Sequence, residues 1–328
     1  MDHQRNSHPV FPKQKMKKIV NVRNFLYALL AGLLFLVVLS YVHAYRFTHF
    51  SESKQERTDP KKLTAMDKIG LIFTGIENPH QTDTLLPSLP YQTFVIPSDL
   101  KLESWWMPRD SARGTILVYP GYAGNKSQML SRAEDLHAMG YNTAIIGFRG
   151  SGHSEGNYTT IGYEEGNDVI ASYHFYQAKF PDQRIYLFGS SMGAAAILKA
   201  LDSEPLPVAG VIMEYPFASL HQSVKNRFKV MGFPSFPMAN LLTYFGGIQL
   251  GFDAFAHNPS DYARKVTCPV LHLAGDHDDR VTNEETATIF NNLKTPAKTL
   301  HVFTGGGHES FNKTYREEWL QLCHDFLK

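Results

Sequence analysis

One stretch constrains this chain more than any other: Arg184-Ile185-Tyr186-Leu187-Phe188-Gly189-Ser190-Ser191-Met192-Gly193-Ala194-Ala195-Ala196. Its first half is apolar and rich in strand formers, so it reads as a buried strand. Its second half is rich in alanine and reads as a helix. The Gly-x-Ser-x-Gly between them marks a tight strand-to-helix turn. Glycine is needed at the flanking positions because a Cβ there would strike the neighbouring strand or helix. Such a turn strains the backbone and lifts one hydroxyl clear of the sheet, which makes Ser191 a candidate nucleophile. An idle serine in a glycine-rich turn would leave the same pattern, so the rest of the chain must decide.

The surroundings are strands alternating with helices. Tyr91 to Ile96 and Leu100 to Met107 read as an antiparallel pair. Further strands are expected at Thr115 to Tyr119, Thr143 to Phe148, Ile185 to Phe188, Val211 to Met213, Val270 to Ala274 and Thr299 to Phe303. Helices are expected at Ser127 to Met139, Glu164 to Phe180, Asn283 to Leu293 and Tyr315 to Phe326. Short apolar strands separated by helices imply an α/β fold with a mostly parallel sheet covered on both faces. Functional groups in such sheets gather at the carboxyl ends of the strands.

A serine hydroxyl needs a base to take its proton, and the base needs an acid to orient it. With this elbow the expected chain order is serine, acid, histidine. After the strand at 270–274 comes Gly275-Asp276-His277-Asp278-Asp279-Arg280-Val281, and after the strand at 299–303 comes Thr304-Gly305-Gly306-Gly307-His308. His308 is the expected base. Asp278 is the expected acid, with Asp276 read as a turn cap and Asp279 as surface charge or a partner of Arg280. Glu214, at the end of the 211–213 strand, is a fallback acid. The developing oxyanion needs fixed donors. The expected ones are the backbone N–H groups of Met192 and of Tyr122, in the loop Pro120-Gly121-Tyr122-Ala123-Gly124, and the Tyr122 ring could wall an acyl pocket.

With Tyr119-Pro120-Gly121-Tyr122, Phe148-Arg149-Gly150-Ser151-Gly152-His153-Ser154-Glu155-Gly156, the elbow, the Asp278 loop and Gly307-His308 in this order, the chain from about residue 91 onward resembles the α/β-hydrolase superfamily. Within it the chain looks like the serine-aminopeptidase-like, membrane-anchored hydrolases of bacterial type. The resemblance implies an eight-stranded α/β-hydrolase sheet spanning 91–328. His153 belongs to a turn that relatives carry without using it in catalysis. Many relatives have His-Gly where this chain has Pro120-Gly121, which affects side-chain roles there but not a backbone donor. The excursion at about 217–267, rich in Phe, Leu, Met and Gly, is expected to form a small helical cap that favours an apolar acyl or alkyl group.

The expected activity is that of a serine hydrolase working through an acyl-enzyme. A carboxylesterase acting on a small-molecule or lipid-like ester is the first choice, with a peptidase or a thioesterase of the same fold as alternatives. A non-catalytic, hydrolase-like binding module is the rival from another class. No CxxC, HExxH or P-loop pattern occurs, so neither metal nor cofactor is expected. The net charge of +1 offers no footprint for nucleic acid.

The N-terminus differs from the rest. Lys13, Lys15, Lys17, Lys18 and Arg23 precede an uncharged apolar run from Phe25 to Val42. Such a run is just long enough to cross a bilayer as a helix. The division expected is a basic cytoplasmic segment at 1–24, a transmembrane anchor at 25–43 and a tether with an irregular lead-in at 44–90. The basic flank puts the bulk of the chain on the extracytoplasmic side. The rival is a signal peptide cleaved near Ala44. Cys268 and Cys323 could pair after export. Protein partners and oligomeric state are not legible.

Overall fold

The computed structural model describes residues 22–52 and 64–328. Residues 1–21 of the expected basic segment and residues 53–63 of the tether and lead-in expected at 44–90 lie outside the described residues. Helix α1 (Val22–Thr48) is long and apolar enough to cross a membrane. It runs across the boundary between two compact units, one ending at Val38 and the other spanning Leu39–Lys328.

In the second unit, α1 continues past the boundary expected at residue 43 and buries Ser40, Ala44 and Thr48. The lead-in is not wholly irregular, because it contains α2 (Ala65–Thr74). Thr64 and Asp67 form a reciprocal capping box at its start, Asp67 N donating to Thr64 Oγ1 and Thr64 N to Asp67 Oδ2. Such a cap satisfies two of the backbone donors that a helix leaves open at its start.

The sheet has eight strands: β1 (Gln92–Ile96), β2 (Leu102–Met107), β3 (Thr115–Tyr119), β4 (Asn142–Ile146), β5 (Ile185–Ser190), β6 (Gly210–Glu214), β7 (Val270–Gly275) and β8 (Lys298–Phe303). Their order is β1-β2-β4-β3-β5-β6-β7-β8. β1 and β2 form the antiparallel edge, and the strands from β4 to β8 are parallel neighbours. Every residue of β3, β4, β5, β6 and β7 is buried, which is why these strands read as continuous apolar runs rather than alternating ones.

The remaining helices are α3 (Leu130–Ala138), α4 (Glu165–Lys179), α5 (Met192–Ser203), α6 (Leu220–Met231), α7 (Met238–Leu250), α8 (Pro259–Tyr262), α9 (Asn283–Asn292), α10 (Phe311–Thr314) and α11 (Arg316–Phe326). Strand side chains alternate between two cores, as the pleat demands. Leu117 and Tyr119 of β3 join the core of α4 and α5, while Ile116 and Val118 join that of α3 and α11. The expected strands and their alternation with helices are thus present. Both cysteines are free thiols, Cys323 on α11 fully buried and Cys268 partly so.

Candidate active site

The turn between β5 and α5 explains its own sequence. Ser191 has φ +54° and ψ −112°, a strained conformation for a residue with a side chain. It is held by Ser191 N donating to Glu214 O at 2.8 Å on the neighbouring strand, and by Ala195 N donating to Ser191 O at 3.0 Å. A Cβ on Gly189 would lie 2.5 Å from Ala194 N, and one on Gly193 2.5 Å from Tyr119 O. Neither backbone can move without opening the elbow. Gly193→Ala is therefore expected to destabilise the fold by roughly 1–3 kcal/mol through overpacking, read as a lower denaturation midpoint.

Of the two adjacent serines, Ser190 is buried and its Oγ donates to Tyr215 Oη at 3.0 Å. Ser191 Oγ faces the cleft instead, 3.1 Å from His308 Nε2. On the other side of the ring, His308 Nδ1 lies 2.8 Å from Asp278 Oδ2. A carboxylate can only accept, so Nδ1 carries the proton and a neutral ring leaves Nε2 to accept from the serine hydroxyl. Residues far apart in sequence meet because the loops after β5, β7 and β8 leave the sheet at the same end.

Asp278 is oriented by its own loop. Its Oδ1 accepts from Arg280 N at 2.8 Å and Val281 N at 3.0 Å. Burial alone would raise its pKa, but the bond and charge of His308, with these backbone donors, outweigh it and hold the carboxyl below its ordinary range. By linkage, the stabilisation from the ionised Asp278 carboxylate is present above the ordinary carboxylate pKa and is lost as pH falls through the depressed one. The other acids of the region are occupied elsewhere. Asp276 accepts from Gly305 N at 2.7 Å and pairs with exposed His277 at 2.6 Å. Arg280 makes no ion pair with Asp279 or any other acid among the described residues.

Glu214 is engaged by Arg132 and Trp319 rather than by His308. Its Oε2 accepts from Arg132 Nε at 2.8 Å and Nη2 at 2.6 Å, and its Oε1 from Trp319 Nε1 at 2.9 Å. Burial alone would lower the Arg132 pKa, but Glu214 and Tyr215 more than offset it and hold the guanidinium charged. Arg132 also donates to Tyr215 Oη at 3.0 Å, and the Tyr215 ring lies 4.2 Å from that of His308. Tyr215 and Arg132 thus support the site, and residue types alone did not single them out. The one hint was a charged residue closing an apolar strand.

The loop between β3 and α3 folds over the elbow. Gly124 N donates to Gly121 O at 3.0 Å, and Ser151 Oγ braces the loop by donating to Gly124 O at 2.7 Å. Gly121 and Tyr122 line the same cleft as Ser191 and His308. Met192 begins α5, and its side chain is buried with Sδ 3.5 Å from Thr159 Oγ1. What Met192 can present to the cleft is its backbone N–H, one of the unsatisfied donors of a first helical turn. The Tyr122 side chain is committed to the last turn of α1: its hydroxyl donates to Phe47 O at 2.6 Å and its ring stacks on Phe47 at 5.4 Å. His153 is exposed, 3.3 Å from Glu103, and takes no part in the cleft.

The cleft has a volume of about 350 Å³. It is not the apolar chamber the cap's composition suggested. From the cap it receives Phe217, Ser223 and Arg227, and nothing from α7. The apolar residues of α7 turn away from the serine because the helix packs against the last turns of α1 instead: Tyr41 and Phe245 rings meet at 5.6 Å, and Gln249 Nε2 donates to Tyr41 O at 2.8 Å.

A parallel-centred eight-stranded sheet with a strained Gly-x-Ser-x-Gly elbow after β5 defines an α/β-hydrolase. The family profile of the prolyl oligopeptidases matches residues 127–328, and the chain belongs to that family. It is 23% identical over 287 residues to the protein YqkD of Bacillus subtilis, covering 81% of this chain and 94% of that one. It is 25% identical over 242 residues to the membrane protein YNL320W of Saccharomyces cerevisiae, covering 73% and 80%. Among solved structures it resembles the esterase Pf2001 of Pyrococcus furiosus, with 25% identity, a TM-score of 0.66 and coverage of 76% and 96%.

Proposed function

We propose that this chain is a membrane-anchored serine hydrolase whose preferred substrates are carboxylic esters. The observation that carries the reading is the unbroken hydrogen-bonded chain from Ser191 Oγ through His308 to Asp278. In the proposed reaction Ser191 Oγ bonds to the ester carbon while His308 Nε2 takes its proton. The carbonyl oxygen becomes the oxyanion, held by the Tyr122 and Met192 N–H groups. The intermediate collapses, the carbon–oxygen bond to the leaving alcohol breaks, and His308 returns the proton to it. Water then repeats the sequence on the acyl-enzyme, releasing the acid and restoring Ser191. Asp278 keeps His308 in the required tautomer and stabilises its imidazolium.

A fluorophosphonate probe tests this. A label on Ser191 supports the reading, and a label elsewhere, or none, overturns it in favour of a non-catalytic module. Asp278→Asn is expected to lower kcat by roughly ten-thousand-fold, the loss that follows when an orienting acid is neutralised and the base takes the wrong tautomer. Steady-state kinetics at constant fold, checked by circular dichroism, measures it.

Membership of the prolyl oligopeptidase family keeps amide hydrolysis as the second reading, while the likeness to the Pf2001 esterase supports the first. Matched p-nitrophenyl esters and peptide p-nitroanilides separate them. Faster turnover of the anilides would make the protein a peptidase.

The anchored reading is supported by the last turns of α1. Ser40 Oγ donates to Met238 Sδ at 3.4 Å, and Tyr41 O accepts from Gln249. Cleavage after Ala44 would discard both contacts. The proposed topology puts the N-terminus in the cytoplasm and the hydrolase body outside. A C-terminal alkaline phosphatase fusion is expected to be active, and the protein to stay in the membrane through carbonate washing. A mature chain beginning at Tyr45 would show a cleaved signal instead.

A further inference from the structure

The cleft around Ser191 is rimmed by cations that the proposed reaction does not use. Arg227 reaches it from α6, Arg280 from the loop after β7, and Lys313 from α10. Three separate segments of the fold therefore converge on one opening. Arg132 also lines the cleft, but its charge is engaged by Glu214. Arg280 and Lys313 make no ion pair among the described residues. Among the residues that line the cleft, Glu309 is the carboxylate, accepting from Gly307 N at 3.2 Å and Thr314 Oγ1 at 2.8 Å, so the lining carries more cations than anions. Arg227 is held in place by rings, its guanidinium carbon 4.8 Å from the Tyr122 centroid and 5.0 Å from that of Phe47.

Like charges gathered at a cleft repel one another and destabilise it unless an anion enters. Guanidinium forks match carboxylate and phosphate oxygens. We propose that the substrate is an anionic ester, carrying a carboxylate or phosphate on its acyl or alcohol part, and that Arg280, Lys313 and Arg227 set this preference. The inference rests on the reading of Ser191 as the nucleophile and adds the charge of what it attacks. It also accounts for a cap that turns polar residues, Ser223 and Arg227, toward the serine.

Two ester pairs test it. On the acyl side, the p-nitrophenyl monoester of suberate is compared with its neutral methyl-capped counterpart. On the alcohol side, lysophosphatidate is compared with monoacylglycerol. In at least one pair, kcat/KM for the anionic member is expected to exceed that of the neutral one on the order of tenfold, a moderate electrostatic preference for partly solvated cations. The responding pair identifies which side of the ester bears the charge. The ratio is expected to shrink toward one in the Arg280→Gln, Lys313→Gln double variant and at high salt. Arg280→Glu is expected to favour the neutral member. A wild-type ratio near one in both pairs, or a ratio unchanged in the double variant, overturns the proposal. Equilibrium binding of the suberate esters to the Ser191→Ala protein reads the same ratio without chemistry. Tighter binding of the anion with no turnover of any ester would sink the hydrolase reading, and with it the anionic ester as substrate, and leave only an anion-binding cleft.

Discussion

Ser191→Ala is expected to reduce kcat on ester substrates on the order of a million-fold, down to what the oxyanion donors and binding alone supply. The side chain removed is small, and its one hydrogen bond is to His308, so the fold has little to lose. The strained φ of +54° is imposed by the backbone, through Ser191 N to Glu214 O and Ala195 N to Ser191 O, and those bonds survive. The melting temperature should therefore move little, within the ±0.5 kcal/mol or so of an unremarkable substitution. Ser190→Ala is the control. Ser190 donates to Tyr215 and lies away from the histidine, so it should lose its stabilising bond, about 1 kcal/mol, and keep fluorophosphonate labelling. If Ser191→Ala retained a hundredth of the activity, the proposed nucleophile would be wrong.

Glu214→Ala is expected to act mainly on stability, by about 3–5 kcal/mol, because it strands the buried Arg132 guanidinium without its counter-charge. For a domain of this size that is a fall in melting temperature of roughly 10 °C. Trp319 Nε1 also loses its acceptor. The double variant Glu214→Leu, Arg132→Met should recover much of the loss, since a buried ion pair is worth little over a well-packed apolar replacement. Activity would fall only as far as Tyr215, beside His308, is disturbed. If Glu214 were the orienting acid, the outcome would be reversed: a large loss of kcat with the fold intact. The paired behaviour of Asp278→Asn and Glu214→Ala thus assigns the acid independently of geometry.

Much of the architecture was legible locally. The strands of the sheet announce themselves because they are buried on both faces, which forces uninterrupted apolar runs such as Ile116-Leu117-Val118. The elbow is legible because its two glycines answer steric demands that no other residue meets. What escaped was of two kinds. Helix α2 is only ten residues long and opens on a capping box, within a stretch expected to be an irregular lead-in. The cap's composition suggested an apolar chamber, but composition does not say which way a helix faces. α7 turns its apolar face to the end of α1, which sequence order places far away.

The sequence by itself determined the alternating α/β architecture, the turn that strains Ser191, and the order in which Asp278 and His308 follow it. These are properties of residues close along the chain, set by sterics and by burial of short apolar runs. Only the tertiary structure decided which partners meet. It brought His308 between Ser191 and Asp278, sent Glu214 to Arg132 and Trp319, docked Tyr122 on Phe47, and gathered Arg227, Arg280 and Lys313 around one opening. Those choices depend on the register of strands across the sheet and on which face of each helix is buried, and chain order alone specifies neither.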